Sequence, residues 1–217
     1  MARRRRRHND AVSATFEARL RSRSLWLDSL PGPLVARPAL VADADSDVVI
    51  VGGGFTGLWA AYALARADPT LRIVVLEAEG CGFGASGRNG GFVSAGIAGQ
   101  AAVYERAHGL DAVVRAERAM VDAIDEIGRV VAEEGIECGW VKGGSLRVAM
   151  NEPQLARIHA TLATKRRHGL GEDDLRVLTA EEVRGRVAIA GAMGGTFTPH
   201  CARVNPAALA RGLADAA

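Results

Sequence analysis

Asp47-Val-Val-Ile-Val-Gly-Gly-Gly-Phe-Thr-Gly57 is the stretch of sequence that decides the fold. Its β-branched run, residues 48–51, predicts a buried parallel strand. Residues 58–67 are rich in alanine and leucine and predict a helix, which Asp68-Pro69 ends. Residues 72–76 predict a second buried strand. Together they form a strand–turn–helix–strand unit of the kind that parallel pairing requires.

The glycine spacing in this unit, Gly52-x-Gly54-x-x-Gly57, is typical of a dinucleotide-binding turn when it lies between a strand and a helix. Gly52 gives the tight turn its backbone freedom, and a side chain at Gly54 would block a pyrophosphate. Gly57 lets the helix lie close to the strand. The free N–H groups of the helix start, where Phe55 and Thr56 lie, then bind the phosphate charge.

An acidic residue follows at the position that a ribose requires. Glu77 lies 20 residues after Gly57, at the end of the second predicted strand, and is followed by Ala78. A carboxylate there accepts hydrogen bonds from a ribose diol and rejects a 2′-phosphate. The alternative is a glycine turn with an incidental surface glutamate. The same physics serves both NAD and FAD.

A second glycine-rich segment separates these two cofactors. Residues 80–99 contain eight glycines, so the segment is either a flexible loop or backbone that presses against something. The stretch 47–61, the string Val75-Leu-Glu77 and the string Gly84-Ala-Ser-Gly-Arg-Asn-Gly-Gly91 together resemble the FAD-dependent amine oxidases of the D-amino-acid oxidase superfamily. The second loop is most similar to the gamma-glutamylputrescine oxidase branch. This resemblance covers residues 22–217 and is most specific over residues 46–93.

The resemblance implies an α/β fold, with an FAD-binding Rossmann-like domain of the two-dinucleotide-binding type and part of an α+β substrate domain. It implies oxidation of the carbon–nitrogen bond of an amine or amino acid, with FAD as hydride acceptor and oxygen as the expected electron acceptor. Arg88 is expected to pair with phosphate. The alternative is that Arg88 is a solvated loop residue. The second loop would line the diphosphate, ribityl chain and isoalloxazine edge through Ala85, Ser86, Arg88, Asn89, Gly90 and Gly91.

The resemblance also divides the chain into ranges. Residues 1–45 are expected to form a partly disordered leader, 46–140 the first part of the FAD-binding domain, 141–200 part of the substrate domain, and 201–217 a helix that returns toward the FAD domain. Within the leader, Trp26 is expected to dock on the body of the protein, the alternative being a loose arm. The sequence ends within the last predicted helix, and we expect an amino-terminal portion that lacks oxidase activity alone.

The remaining periodicity predicts further elements. Helices are predicted at 100–134, with a break at Gly109, and at 152–168. Two strands, 137–141 and 144–150, are predicted to flank a turn at Lys142-Gly143. Thr179-Ala-Glu-Glu182 resembles a capping box. A strand at 195–198 and a helix that begins at Pro206 follow.

Charge and cysteine content limit which binding partners and which cellular compartment the sequence favours. The net charge is +2, but without the five arginines 3–7 the balance is 22 basic against 25 acidic residues. The body is therefore slightly acidic, which argues against a nucleic-acid surface. We expect residues 1–10 to be dispensable, the alternative being a nucleic-acid or membrane arm. No apolar run reaches membrane-spanning length, and no signal peptide is evident. Three widely spaced cysteines predict neither disulfides nor a metal site and favour the cytoplasm.

No catalytic residue is evident in the sequence. His200 is a candidate for approach to substrate, and a loop histidine is its alternative. Two rival functions remain open: an NAD-linked dehydrogenase, which would need only the first glycine loop, and a non-catalytic nucleotide-binding protein. The sequence names neither the amine nor the oligomeric state.

Overall fold

The computed structural model describes residues 15–217, so the predicted arginine arm lies outside the described residues. Two compact units account for the chain. The first contains the residues up to Gly91 together with Val131–Gly139 and Val204–Ala217, and the second contains Phe92–Val130 and Trp140–Arg203. Residues 92–130, which the sequence analysis counted in the 46–140 domain, thus fall in the second unit. The assignment of ranges to cofactor and substrate stays a prediction.

A parallel strand pair joined by a helix organises the first unit. Strand β1 (Val48–Val51) pairs with β2 (Ile73–Leu76), and Val48 lies opposite Ile73. Helix α3 (Phe55–Ala67) connects them. Because crossover helices cover one face of a parallel pair, the apolar residues of α3 turn inward, and Leu58, Ala61 and Tyr62 are buried. The predicted strand–turn–helix–strand unit is confirmed.

The predicted parallel strand is present, but its predicted burial holds on one face only within residues 15–217. Side chains alternate along a strand, and Ile50 contacts the α3 side, where its Cγ2 atom lies 3.0 Å from a Cβ built at Gly57. Val49 and Val51 point the other way and are 54% and 86% exposed. In the part of the chain that the structure describes, this sheet has two strands, and nothing covers its second face. The continuous apolar run hid this alternation.

The leader and the last helix complete the first unit. Residues 15–21 are helical (α1), and α2 (Leu25–Asp28) begins at the N-cap Ser24, whose side chain accepts a hydrogen bond from the Leu27 N–H. Helix α8 (Pro206–Ala216) begins as predicted at Pro206, and the Asn205 side chain accepts from the first free N–H groups. Leu27, Leu209 and Leu213 are almost completely buried and form part of this unit's core.

Helices and antiparallel strands form the second unit. Helix α4 (Ala101–His108) is followed by α5 (Leu110–Glu133), so the predicted break at Gly109 is confirmed; α5 continues into the first unit beyond Val130. Helix α6 (Glu152–Arg167) agrees with the predicted helix, and the predicted capping box is present at Thr179 and Glu182 before α7 (Ala180–Arg186).

Two sheets belong to the second unit. Strands β3 (Phe92–Ser94) and β7 (Cys201–Arg203) are antiparallel, and a three-stranded sheet has the order β4 (Ser145–Ala149), β6 (Gly194–Thr198), β5 (Arg176–Thr179). One face of this sheet packs on a core formed by Leu178, Val183 and Ala192.

The predicted pair of strands around Lys142-Gly143 is wrong. The second of them corresponds to β4, but residues 137–140 form no strand, and Val141 makes only an isolated bridge to Arg203. β4 pairs instead with β6, which lies almost 50 residues later in the chain. A turn signal in the sequence reports local pairing only, so this long-range partner was not visible. Within residues 15–217, no helix is both long and apolar enough to cross a membrane.

Candidate functional site

The turn between β1 and α3 is the centre of the candidate site. Gly52 has φ +107°, a left-handed conformation that a residue with a Cβ rarely adopts. Its N–H donates to the Leu76 carbonyl oxygen at 2.8 Å, so the parallel ladder continues one residue past the strand. The chain can therefore leave the sheet and enter the helix within two further residues.

Close packing at Gly57 seats the helix against this turn. A Cβ at Gly57 would collide with the carbonyl oxygen of Gly52 and lie 3.0 Å from Cγ2 of Ile50. Only glycine allows this approach without displacement of the backbone. The N-terminal end of α3 is thereby held directly beside the end of β1.

The helix start carries no side-chain cap of its own. Its N-cap is Gly54, and its first turn contains no acidic residue, so the positive end of the helix is not neutralised from within. The acceptor that reaches it comes from the second glycine loop, because the Phe55 N–H donates to Ser86 Oγ at 2.9 Å. A Cβ at Gly54 would lie 3.1 Å from the same oxygen. The structure thus brings the two glycine loops together.

Glu77 lies at the carboxyl end of β2, beside the same turn. Its Oε2 accepts from the Gly53 N–H at 2.7 Å, and its Oε1 accepts from the Glu79 N–H at 2.9 Å. These two bonds fix the carboxylate, while the residue itself is exposed, as is Ala78. An exposed, oriented carboxylate retains lone pairs for further hydroxyl donors.

The second loop is held in shape by its own backbone and by one amide side chain. Residues Ala85–Gly87 form a 3₁₀ turn. Asn89 Nδ2 donates to the Ser86 carbonyl at 3.0 Å, while its Oδ1 accepts from the Gly91 N–H at 2.8 Å. Ala85, Asn89 and Gly90 are exposed. These hydrogen bonds fix the shape of the loop, which favours closely placed backbone over a flexible loop.

Arg88 projects from this loop. Its Nε donates to the Gly84 carbonyl oxygen at 3.2 Å, and its guanidinium lies 5.6 Å from the Phe83 ring centroid. The residue is exposed. Within residues 15–217 its remaining N–H groups have no hydrogen-bond acceptor, so they can donate to an anion.

The leader contributes two contacts to the second loop. Trp26 Nε1 donates to the Asn89 carbonyl oxygen at 2.7 Å, so the predicted docking of Trp26 is confirmed. Ser24 Oγ donates to the Gly87 carbonyl oxygen at 2.9 Å. The sequence analysis missed Ser24, although a serine directly before Leu-Trp-Leu-Asp is a recognisable helix N-cap.

Cys81 is another residue of this site that the sequence analysis missed. It is buried, its Sγ lies 3.0 Å from a Cβ built at Gly53, and burial raises the pKa of its thiol. The cysteine is therefore a packing residue under the turn, in its protonated form. No sequence signal distinguishes it from the other two cysteines.

His200 belongs to the second unit. Its Nε2 lies 2.9 Å from Asp174 Oδ1. Burial raises the pKa of the Asp174 carboxyl, but hydrogen bonds from Arg118, the Gly171 N–H and His200 outweigh it, and the net pKa is lowered. His200 is thus a fixed histidine beside an ionised carboxylate.

Comparison with known families identifies the chain. Residues 47–217 match the DAO family, described as FAD dependent oxidoreductase. The chain belongs to this family. The match contains both glycine loops, Glu77 and the whole second unit, so the recognition from sequence and the predicted fold class are confirmed.

Individual relatives agree with this assignment. The chain is 36% identical over 170 residues to the gamma-glutamylputrescine oxidoreductase of Escherichia coli K12, an alignment that covers 78% of this chain and 39% of that protein. Glycine oxidase from Bacillus cereus has a similar fold, with a TM-score of 0.60, 23% identity and coverage of 79% of this chain and 43% of that one. L-amino acid deaminase from Proteus myxofaciens gives a TM-score of 0.63 at 18% identity, with coverage of 86% and 39%. The chain spans about 40% of the length of these relatives.

Proposed function

We propose that this chain binds FAD at the two joined glycine loops and forms the cofactor-binding portion of an amine or amino-acid oxidoreductase. The observation that carries the proposal is the hydrogen bond from the Phe55 N–H to Ser86 Oγ, which places the second loop at the start of α3. A nucleotide fingerprint alone serves NAD as well as FAD. A second loop joined to it is what the flavin of this family needs.

The residues of the first unit fit the cofactor chemically. The start of α3 has no side-chain cap from its own N-cap residue, and the backbone N–H groups of Gly54, Thr56 and Gly57 together with the positive dipole end would face a diphosphate beside the Phe55–Ser86 hydrogen bond. Glu77 would accept hydrogen bonds from the adenosine ribose. Arg88, exposed and without a carboxylate partner in residues 15–217, would pair with phosphate.

The second loop would border the remainder of the cofactor. Exposed backbone at Ala85, Asn89 and Gly90 permits close approach of a flat ring, and Asn89 holds the loop in that shape. When bound, FAD supplies the acceptor for the hydride that leaves the carbon of a carbon–nitrogen bond. The chain's own part is to bind and orient the cofactor.

The substrate class in this proposal is a small amine or amino acid. Its support is the family membership and the similarity to proteins named gamma-glutamylputrescine oxidoreductase, glycine oxidase and amino acid deaminase. Oxygen as electron acceptor and a cytoplasmic location belong to the same proposal. They rest on the resemblance of the sequence and on its cysteine content.

Flavin binding by the 217-residue chain tests the proposal. We expect FAD to bind with quenching or a shift of its fluorescence, and NAD to compete poorly. Replacement of Ser86 by alanine should weaken FAD binding, while Ser22→Ala, at an exposed serine outside both loops, should leave it unchanged. Preferential binding of NAD would favour the dehydrogenase alternative. Binding of FAD without amine oxidation by any longer form of the protein would favour the non-catalytic alternative.

A further inference from the structure

A cavity of about 580 Å³ lies within the second unit, well inside the range of small-molecule sites. One wall is a face of the three-stranded sheet, where Arg147 lies opposite Thr196 in the strand register and Thr198 follows on the same face. Helix α6 supplies a second wall with Arg157 and Ile158, and α5 contributes Val121. All its lining residues belong to the second unit.

The carboxylates in the walls of this cavity are already neutralised. Glu117 is only 2% exposed, and Lys165 Nζ donates to its Oε1 at 2.5 Å. Asp174 accepts from Arg118 Nη1 and Nη2 at 3.1 and 3.2 Å. Neither carboxylate is therefore available to attract a cationic ligand.

Two guanidinium groups of the lining are not neutralised. Arg147 and Arg157 have no acidic partner anywhere in residues 15–217. Because the other charges in the walls are paired, these two arginines leave the cavity with an excess of positive charge. A planar guanidinium matches a carboxylate with two parallel hydrogen bonds, so the fitting ligand group is a carboxylate.

His200 adds a requirement at another point of the wall. Its Nδ1 is buried and has no hydrogen-bond partner among the described residues, while its Nε2 bonds to Asp174. In the neutral imidazole tautomer that donates from Nε2 to the Asp174 carboxylate, Nδ1 is an acceptor. A buried acceptor without a partner is rare, and a ligand N–H or O–H group would satisfy it.

We infer that this cavity binds a small organic carboxylate whose apolar body ends in an N–H or O–H donor. Arg147 and Arg157 would take the carboxylate, Val121 and Ile158 would contact the body, and His200 would accept from the donor. The inference does not rest on flavin binding, because the first unit contributes no lining residue.

Three matched probes test the inference on the 217-residue chain by calorimetry: 5-aminopentanoate, pentanoate and pentylamine. We expect 5-aminopentanoate to bind, pentanoate to bind several-fold more weakly because it lacks the donor, and pentylamine not to bind measurably. Equal binding of pentylamine, or no binding of 5-aminopentanoate, would overturn the inference. The series is run with and without FAD, so a failure of flavin binding is seen separately.

Substitutions in the cavity walls show where 5-aminopentanoate binds. Arg147→Gln and Arg157→Gln should each weaken 5-aminopentanoate about tenfold or more, whereas Arg184→Gln, an exposed arginine of the same unit that does not line the cavity, should have no effect. His200→Phe should remove the preference for 5-aminopentanoate over pentanoate. Circular dichroism confirms that each variant is folded. Unchanged affinity in folded Arg147→Gln and Arg157→Gln would contradict the assignment.

Discussion

The carboxylate of Glu77 accepts a hydrogen bond from the backbone N–H of Gly53 at 2.7 Å. This bond ties the end of the second parallel strand to the middle of the turn that leaves the first. An acidic residue expected from sequence to serve a ribose therefore also braces the turn that would hold the diphosphate. Loss of its charge should act on both halves of the nucleotide site.

Replacement of Glu77 by alanine should weaken FAD binding about 10- to 100-fold, since a hydrogen bond to a charged group contributes roughly 1.5–3 kcal/mol. Glu77→Gln should be milder, because an amide oxygen still accepts one bond. Flavin retention on dilution, followed by fluorescence recovery, measures the effect. Glu79→Gln, two residues later, is the control and should retain flavin. Wild-type retention by Glu77→Ala would show that the carboxylate is incidental.

Gly57→Ala should destabilise the protein by about 2 kcal/mol, because its Cβ would collide with the Gly52 carbonyl and packed sites do not absorb an added carbon. Gly185→Ala is the matched control. It lies in a helix with nothing within 4 Å of the added Cβ, so it should be neutral or up to about 1 kcal/mol stabilising. Urea unfolding of both variants makes the comparison. Equal urea midpoints for the two variants would contradict the close approach of α3 to the end of β1.

Asp47 should give the protein an acid-sensitive contact. Hydrogen bonds from the Arg72 side chain and backbone lower the pKa of the Asp47 carboxyl from 3.8 to about 2. A carboxyl with a lowered folded-state pKa stabilises the fold above its unfolded pKa, and this contribution is lost as the pH falls from about 4 toward 2. Asp47→Asn should reduce the loss of thermal stability over that window. Asp45→Asn, at an exposed neighbouring position, should leave the loss of thermal stability between about pH 4 and pH 2 unchanged.

The two lysines of the chain should differ in their importance. Lys165→Met leaves the buried carboxylate of Glu117 without its cation and should cost about 2–3 kcal/mol, given that Lys165 is partly exposed. Lys142→Met removes a surface pair with Asp125 and should cost less than about 1 kcal/mol. Chemical unfolding distinguishes the two. Comparable losses would mean that Glu117 finds another partner.

His168 is expected to tolerate an apolar replacement. It is 2% exposed, and neither ring nitrogen has a hydrogen-bond partner in the described chain. Because neither ring nitrogen makes a hydrogen bond to a described residue, the polarity of the imidazole contributes little, and His168→Leu should change stability by less than about 1 kcal/mol. A loss comparable to that of Lys165→Met would show that the ring interacts with the Glu105 and Glu117 carboxylates, which lie 3.8 and 3.7 Å away.

The parts of the fold that local spacing determines were predictable. The strand, glycine turn, helix and second strand follow within 30 residues, so the pattern of apolar residues and glycines specified them. The pairing of Ser145–Ala149 with Gly194–Thr198 was not predictable, because no local signal joins strands that far apart. The exposure of Val49 and Val51 was equally hidden, since alternation cannot be read in an unbroken apolar run.

The candidate site divides in the same way. Residue types at fixed spacing identified Gly52, Gly57 and Glu77. The hydrogen bond between the Phe55 N–H and Ser86 Oγ depends on how the two loops fold against each other, and the spacing of residues in the sequence does not predict this. Cys81 was missed because it acts through packing alone. Ser24 was missed because its sequence context marks a helix N-cap and does not reveal that it donates to the Gly87 carbonyl oxygen.

The two hydrogen bonds from Ser24 and Trp26 to the loop carbonyls change how this protein should be trimmed for crystallisation or tagging. The stretch 31–38, which contains Pro31, Pro33 and Pro38, looks like a natural place to shorten the chain. A truncation there would remove the two hydrogen bonds that hold the backbone of Gly87 and Asn89 in place. A shortened version should start upstream of Ser24, and a purification tag is better joined ahead of residue 15 than inserted among the prolines.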